Sequence, residues 1–533
     1  MSHLRINPSL PVVVLGFGHG GLGVARSLGR LGVRVHAVDP DPAAAGLASR
    51  YVESAHAWDC AGASVSDSLG FLDDLGRRLG PALLLPTTDA TAVLVAEHSE
   101  ELAPRFLFPR PPRALVRRLT DKREVFRLAN EFGVPTPLTV FPRSRDDVER
   151  FLADARFPMV LKPIDPTRFE RRTGRRLAIV ATPDALLSRY LEWEDRAAPN
   201  LMLQEHIPGG DDAVWMFNGV FNEWSECVAA FTGRKLRQHP GYGGATSLGV
   251  CERNDHVERL TSDFMWALGY QGVLDVGYRY DARDGLYKLL DPNPRIGATF
   301  RLFLDAQGLD VVRVLYCDLT RQPVWPTRVR EGRKWLVEDR DLESSLAQIR
   351  AGTLTPRRWL ASFAGVEEAA WFARDDLRPF LRVAGQLLAQ AARAVGRRLG
   401  AALRAAASLP GVARVFTPRT LALAPPSDWN AELWRHMIPP DYGWLLCGVT
   451  APGYVWSAGG LDAEHGSTNP EDVAVPIAFY GASIAAQRVA RPVSTVDIAP
   501  TLAALLGVPP TEPLDGHVLP EVLSHPNREG TDP

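Results

Sequence analysis

The chain has 533 residues, 46% of them hydrophobic and 23% charged, with a formal net charge of −2. That length exceeds what one hydrophobic core supports and predicts roughly three or four soluble globular domains. The near-neutral balance gives no reason to expect nucleic acid or a membrane as partner, and neither is expected.

Residues 1–10 lack the apolar core of a signal peptide, which points to a cytoplasmic protein. Val12-Val13-Val14-Leu15 is a short run of the buried-strand type. Gly16-Phe17-Gly18-His19-Gly20-Gly21 follows, Leu22 to Leu31 has helical periodicity, and Arg34 to Asp39 is a second strand ending in an acid. This is a G-x-G-x-x-G fingerprint in strand–turn–helix–strand context, with an acid about 20 residues on. Its chemistry is backbone amides and a helix N-terminus facing a phosphate. Read alone it predicts an NAD(P)- or FAD-dependent oxidoreductase with Asp39 on a ribose. Glycines that permit only a tight turn and close helix packing would look the same. Ala82-Leu83-Leu84-Leu85 is another buried strand, running into Pro86-Thr87-Thr88-Asp89, and Phe106 to Pro109 is a further one. A Rossmann-like open sheet over residues 1–115 fits this order.

Leu119-Thr120-Asp121-Lys122 opens a helix, with Asp121 or Thr120 as N-cap, that runs to Gly133. Pro158 to Pro163 is a strand with Lys162 near its end. The basic, glycine-containing excursion Arg168 to Arg176 reads as a mobile hairpin before a strand at Leu177 to Val180. A cation on a strand beside such a hairpin suits a triphosphate; a solvated surface hairpin suits the residues equally. Leu201 to Ile207 is a strand entering the turn Pro208 to Asp212. Gly233 to Ser247, basic and then glycine-rich, reads as a loop that binds or closes over a substrate carboxylate, or as a solvated connection.

Gly272 to Tyr280 is a strand, Asp281 to Gly285 a hairpin turn, and Leu286 to Leu290 returns into Asp291-Pro292-Asn293-Pro294-Arg295. Side chains two apart on a strand share a face, so Asp291, Asn293 and Arg295 can aim at one small volume. The hairpin could set Asp275 beside them. Three oxygen ligands and a fixed cation suit Mg²⁺ on a polyphosphate. A solvated turn is the alternative, because two prolines break a central strand.

Trp335 to Asp376 reads as helical. The Ala-rich stretch Val383 to Leu409 is the most membrane-like, but Arg393, Arg397, Arg398 and Arg404 interrupt it. It reads as an amphipathic helix packed on protein rather than lipid. Cys60, Cys227, Cys251, Cys317 and Cys447 have no metal-like spacing and fit free thiols in a reducing cytoplasm. Of the 60 Lys and Arg residues, five are lysine: Lys122, Lys162, Lys235, Lys288 and Lys334. Where Arg fills nearly every ordinary cationic position, a retained Lys marks a need for a compact ammonium, or chance survival.

The ordered series Thr120-Asp121-Lys122, Leu161-Lys162-Pro163, Gln204-Glu205-His206-Ile207-Pro208-Gly209, Asp275 and Asp291-Pro292-Asn293-Pro294-Arg295 resembles the ATP-grasp superfamily. Within it the likeness is to D-aspartate-ligase-like carboxylate–amine ligases, over about residues 10 to 375. The resemblance implies a Rossmann-like domain that helps bind substrate and carries no dinucleotide, followed by a two-lobed ATP-grasp domain at 116–330. It implies that Lys122 and Lys162 contact ATP phosphates, with Lys162 and Arg295 catalytic. Gln204, Glu205, His206 and Ile207 would hold adenine, with Asp212, ahead of Asp211, near the ribose. Asp275, Asp291 and Asn293 would carry Mg²⁺ or Mn²⁺, and Arg295 would steady an acyl phosphate. Arg301 is a weaker candidate for binding the substrate carboxylate. The implied substrates are a small-molecule carboxylate and an amine, amino acids or an amino-acid-containing precursor. A homodimer is left open. The rivals are the oxidoreductase above and a non-catalytic nucleotide-binding protein.

A helical extension is expected at 331–408 and a different unit at 409–533. Asp462 to Ser467, with its His465-Gly466 pair, the strand-like Val473 to Gly481, and Arg491 to Leu502 resemble the C-terminal part of the alkaline phosphatase superfamily. There His465 would map to a zinc ligand. One His cannot hold catalytic zinc, which takes three protein ligands, so a partial α/β segment without phosphatase activity is expected. The fold class is therefore α/β and α+β.

Overall fold

The computed structural model describes residues 6–153, 155–323, 325–326, 329–438, 443, 445–452, 454, 477–480, 484, 487–514 and 516–523. The chain divides into one unit at residues 1–387 and a second at 388–533.

The first unit begins with five strands: β1 (Val12–Leu15), β2 (Val35–Asp39), β3 (Ser54–Ala57), β4 (Ala82–Pro86) and β5 (Phe106–Leu107). They form an all-parallel sheet in the order β3-β2-β1-β4-β5. The strand order reverses at β1 and β4, so a crevice opens beyond their C-terminal ends. Gly16 leaves one of these ends and Thr87-Thr88-Asp89 the other. The apolar runs read from the sequence are the strands with fully buried faces, Val12 to Leu15 and Ala82 to Leu85.

Four strands follow: β6 (Thr139–Val140), β7 (Met159–Pro163), β8 (Ala178–Val180) and β9 (Leu201–Glu205), an antiparallel sheet in the order β6-β9-β7-β8. This lobe has its own core of Met159, Leu161, Phe169, Leu186, Tyr190, Trp193, Leu201 and Leu203. The basic excursion read as a hairpin is instead the helix Pro166–Thr173. The Asp165 side chain accepts from the Arg168 amide (3.1 Å), Pro166 opens the first turn, and Gly174 ends the helix at φ 65°. Those three signals outweigh the run of arginines between them.

Seven strands build the third sheet: β10 (Val214–Phe221), β11 (Cys227–His239), β12 (Ala245–Cys251), β13 (Gly272–Asp281), β14 (Leu286–Asn293), β15 (Lys334–Leu336) and β16 (Val366–Ala369). The order is β14-β13-β10-β11-β12-β15-β16. Three expectations change here. Gly233 to His239 and Ala245 to Ser247 are strand, so the expected loop shrinks to the turn Pro240 to Gly244. The segment after Trp335 contributes β15 and β16 as well as the helices Glu338–Arg350 and Pro356–Ser362. Pro292 does lie in a strand, because β14 is a sheet edge where a missing N–H breaks no ladder.

The first and third sheets share one core. Val12, Val14, Val24, Phe231, Phe300, Phe303, Val312, Tyr316 and Trp335 belong to a single buried cluster. Large side chains buried this fully contribute about 1.5–3 kcal/mol each. The end of the first unit is clamped to its first helix, His19–Gly29, through Arg26. Its guanidinium, 2% exposed, meets Asp376 Oδ2 at 3.0 Å and donates to the Ala370, Trp371 and Asp376 carbonyls. The same carboxylate accepts from Ser49 Oγ (2.7 Å) and the Arg50 amide (2.9 Å).

The second unit pairs β17 (Val412–Phe416) antiparallel with β18 (Cys447–Thr450) over a small core of Phe416, Leu421, Ala431, Cys447 and Val449. His465, its Asp462 to Ser467 neighbourhood and Val473 to Pro476 lie outside the described residues. The helix expected near Val383 to Leu409 spans Arg378–Ala407. On its apolar side Leu381, Leu388 and Val395 are 63%, 72% and 66% exposed, against the expected packing on protein, whereas Leu399 and Leu403 are half-buried.

Arg26→Ala should leave the Asp376 carboxylate buried without its cation and cost about 3–5 kcal/mol. Chemical denaturation followed by tryptophan fluorescence should show that loss, and Arg26→Lys should not restore it, because an ammonium cannot span three carbonyls and a carboxylate.

Candidate active site

The site is built on the β13–β14 hairpin. Asp275 pairs with Asn293, Gly277 with Asp291, and Arg279 with Lys288. Between the last two pairs the register skips Leu290, which bulges. Cross-strand partners share a face, so Asp275, Arg279, Lys288, Asp291 and Asn293 all lie on one side of the sheet. Plain alternation would have put Lys288 on the opposite face from Asp291; the bulge brings it round.

Asn218, opposite Asp275 on β10, donates from Nδ2 to Asp275 Oδ1 at 3.0 Å. Asn293 Nδ2 donates to the Asp275 carbonyl at 3.2 Å, and its Oδ1 accepts from Arg295 Nη2 at 3.1 Å. Arg295 Nε also meets Asp89 Oδ1 at 2.7 Å. Asp89 begins the helix after β4, so Arg295 ties the hairpin to the crevice of the first sheet. Gly297 passes so close to Asp275 that a Cβ there would fall 2.1 Å from Asp275 Oδ2.

Two cations meet here, Lys162 from the facing lobe and Lys122 from a helix packed on the hairpin's own core. Lys162 on β7 and Lys122 at the start of the helix Lys122–Glu131 line a cleft with Gln204, Met202, Thr139, Leu290 and Asp291. Asp121 caps that helix, accepting from the Arg123 and Glu124 amides, and so fixes Lys122 at its first position. Lys122 Nζ donates to the Pro163 carbonyl at 3.0 Å. Burial pushes the Lys162 ammonium down to about 8, helped by Lys122 and opposed by Asp291. Lys122 is lowered for the same first reason, burial. Asp275 and Asp291 move the other way: desolvation raises both carboxyls above the ordinary range, against the pull of Arg295 on one and of the two lysines on the other. Asp291 keeps an exposed edge at the mouth of the cleft. Crowded cations and crowded acids, each penalised for its own charge, form a site that a polyphosphate and a divalent cation would relieve. Two carboxylates and an amide oxygen are ligands of the hard-cation type and leave positions for phosphate oxygens and water.

The expected adenine hinge is only partly in the cleft. Gln204 lines it, its Nε2 donating to Thr139 Oγ1 at 2.9 Å. The Glu205 carboxylate is engaged elsewhere, by the Leu138 amide (3.0 Å), Lys288 Nζ (2.9 Å) and Arg283 Nη2 (3.0 Å). Burial opposes ionisation of Glu205, but the Lys288 hydrogen bond and the Leu138 amide win and hold it below the usual range. The Ile207 carbonyl accepts from Arg279 Nε at 2.9 Å, and the His206 ring stacks on Tyr242 with centroids 4.8 Å apart. Asp212 is exposed on the turn Asp211–Ala213, whereas Asp211 accepts from the Gln238 side chain at 2.9 Å.

Two other expectations change. Arg301 does not face the site: its guanidinium is 5% exposed and holds Glu368 (2.9 and 2.7 Å) and Asp310 (2.5 Å). The glycine fingerprint serves packing. A Cβ on Gly16, at φ 94°, would meet Thr87 Oγ1 at 2.7 Å, and one on Gly21 would meet the Gly16 carbonyl at 2.3 Å. Asp39, the residue a ribose would need, already accepts from the Phe17 amide (2.6 Å) and the Asp41 amide (2.9 Å).

Lys288 and Arg279 had no role in the sequence reading, and Lys235 only one shared with the whole Gly233 to Ser247 stretch. Lys235 on β11 donates to the Gly244 carbonyl at 2.7 Å, and burial pushes it down to about 8, with Asp275 and Asp211 pulling up. Lys288 also meets Asp281 (2.7 Å) and Asp284 (3.1 Å). The scarcity of lysine was the signal for two of them, and the two-residue spacing Asp275, Gly277, Arg279 was the signal for the third.

No family model matches the chain. Over 242 residues it is 26% identical to a D-aspartate ligase of Enterococcus faecium, covering 43% of this chain and 57% of that one. Over 160 residues it is 35% identical to a formate-dependent phosphoribosylglycinamide formyltransferase of Burkholderia mallei, covering 29% and 36%. The chain spans about half the length of the curated relatives it matches. A solved N5-carboxyaminoimidazole synthetase from Staphylococcus aureus aligns with TM-score 0.47 at 10% identity, over 63% of this chain and 83% of that one.

Gly297→Ala should drive its methyl into Asp275 and weaken Mg²⁺-dependent nucleotide binding about 10- to 100-fold. Calorimetric titration with MgADP should show this, with an unchanged far-UV dichroism spectrum.

Proposed function

We propose that the chain is an ATP- and Mg²⁺-dependent ligase of the ATP-grasp superfamily, joining a carboxylate to an amine through an acyl phosphate. The observation that carries this reading is the convergence of Lys162 from the β6–β9 lobe and Lys122 from the helix packed behind the hairpin with Asp291, Asp275 and Asn293 of the β13–β14 hairpin. The similarity to a D-aspartate ligase supports the same class.

In this reading Lys122 and Lys162 hold the ATP phosphates. Asp275, Asp291 and Asn293 hold Mg²⁺ or Mn²⁺, which would neutralise phosphate charge and polarise the γ-phosphoryl group. A substrate carboxylate attacks that group, giving an acyl phosphate and ADP. The amine then displaces phosphate to give an amide. Arg295, held by Asp89 and Asn293, faces the acyl phosphate and the tetrahedral species that follows. Thr87, Thr88 and the open backbone at Gly18 form the substrate side of the crevice. Gln204 borders adenine, with the backbone of Glu205 to Ile207 beside it and Asp212 toward the ribose. The substrates are a small carboxylate and an amine of the amino-acid kind. The partial resemblance of the second unit to the alkaline phosphatase superfamily is read as a packed remnant that takes no part in this chemistry.

Screening amino acids in pairs for ADP release tests the reading. ADP should appear only when both a carboxylate and an amine are present, and Asn293→Ala should reduce it to background with the fold intact. Failure to bind MgATP would exclude the ligase. ATP binding without turnover across the screen would favour a non-catalytic nucleotide-binding protein.

Lys162 also predicts a pH dependence. With its pKa lowered to about 8, it is charged below that pH and loses charge above it. ATP binding favours the ammonium, so affinity should fall as pH rises through about 8, with proton uptake on binding. Lys162→Arg should remove its share of that dependence, and Lys162→Ala should weaken binding roughly tenfold or more at pH 7.

A further inference from the structure

The helix Arg378–Ala407 has 30 residues, about 45 Å of length, and an uneven distribution of charge. From Leu377 to Ser427 the chain carries eight arginines and no Asp or Glu, in a protein whose net charge is −2. The helix begins rooted in the first unit. Pro379 and Val383 are buried, Phe380 packs edge-on against Phe372, and Gln386 donates to the Ala43 carbonyl at 3.1 Å.

Leu381, Leu388, Val395, Leu399 and Leu403 follow one another at intervals of seven, seven, four and four residues. At 3.6 residues per turn they form one stripe, and Ala384, Ala392, Ala402 and Ala406 fill the gaps along it. The stripe lies on the flank of the helix away from Val383 and Gln386. Leu381, Leu388 and Val395 are 63%, 72% and 66% exposed. Arg378, Arg382 and Arg393 run along one edge of the stripe and Arg398 along the other, while Arg397 and Arg404 fall on the opposite side.

We propose that this helix docks the protein on an anionic membrane surface, lying in the headgroup plane with its leucine stripe toward the acyl chains. A leucine stripe edged and backed by arginine, with low net hydrophobicity, is the composition of an interfacial helix. No helix among the described residues is long and apolar enough to cross a membrane, so docking would be on the surface. Charge decides between occupants. A second copy of the helix would bring arginine flanks together with no acid to pair them, whereas anionic headgroups supply the missing negative charge and the lipid chains take the leucines.

The test is co-sedimentation of the full chain with vesicles of phosphatidylglycerol and phosphatidylcholine, and with vesicles of phosphatidylcholine alone. The protein should sediment with the anionic vesicles, be released by high salt, and stay in solution with the neutral ones. Leu388→Asp with Val395→Asp should cut the bound fraction at least about tenfold without altering the dichroism spectrum. Arg393→Gln with Arg397→Gln should weaken binding to anionic vesicles and reduce its salt dependence. Absence of binding to anionic vesicles at low salt overturns the proposal. So does undiminished binding of the double aspartate variant, or a dimer that this variant dissolves while vesicles are ignored.

Discussion

The register between β13 and β14 is the constraint on which the site depends. One ladder sets Asp275 against Asn293 and Asp291 against Gly277, and one bulged residue, Leu290, brings Lys288 and Arg279 onto the same face. A slip of one residue would turn every one of these groups into the opposite layer. The register has several anchors. Leu289 and Tyr278 are buried as partners in a hydrophobic cluster on the far side of the sheet. Gly297 presses against Asp275, and Asn218 bonds to it from the next strand. Packing on one face thus holds the chemistry on the other.

The charges of the site are arranged against their own comfort. Two lysines, Lys162 and Lys122, are pushed toward neutrality, and two aspartates from the hairpin are pushed toward protonation, each first by loss of water. Nearby opposite charges only partly compensate. A polyphosphate with a divalent cation would supply both missing counter-charges at once, and this complementarity links the geometry to nucleotide chemistry. The lobe that carries Lys162 has a core of its own, so its position over the hairpin rests on a modest interface rather than on a shared interior. By contrast the first sheet and the hairpin sheet share a core and are tied by Arg295 to Asp89, which fixes the crevice of one against the acids of the other.

Much of this was legible in the sequence because local signals and tertiary demands agreed. The buried strands Val12 to Leu15 and Ala82 to Leu85, the Asp121 cap before Lys122, and the face shared by Asp291 and Asn293 are all direct readings of periodicity and capping. What was not legible depended on partners far along the chain. Arg301 looks like any loop cation until Glu368, on a distant strand, pairs with it. Glu205 looks free until Lys288 and Arg283 take its carboxylate. Alternation could not foresee the Leu290 bulge, which moved Lys288 across the sheet. The helix Pro166–Thr173 is a different case: Asp165, Pro166 and Gly174 were visible, but the run of arginines drew the reading toward a mobile hairpin.

An acyl phosphate is the central element of the account, and hydroxylamine traps it directly. The protein would be incubated with MgATP, hydroxylamine in place of the amine, and individual amino acids as carboxylate donors, with hydroxamate and ADP measured together. The account predicts hydroxamate in step with ADP for a subset of carboxylates, and none with Asp291→Asn. ADP formed without hydroxamate for any carboxylate, or MgATP bound with neither product formed, would contradict it.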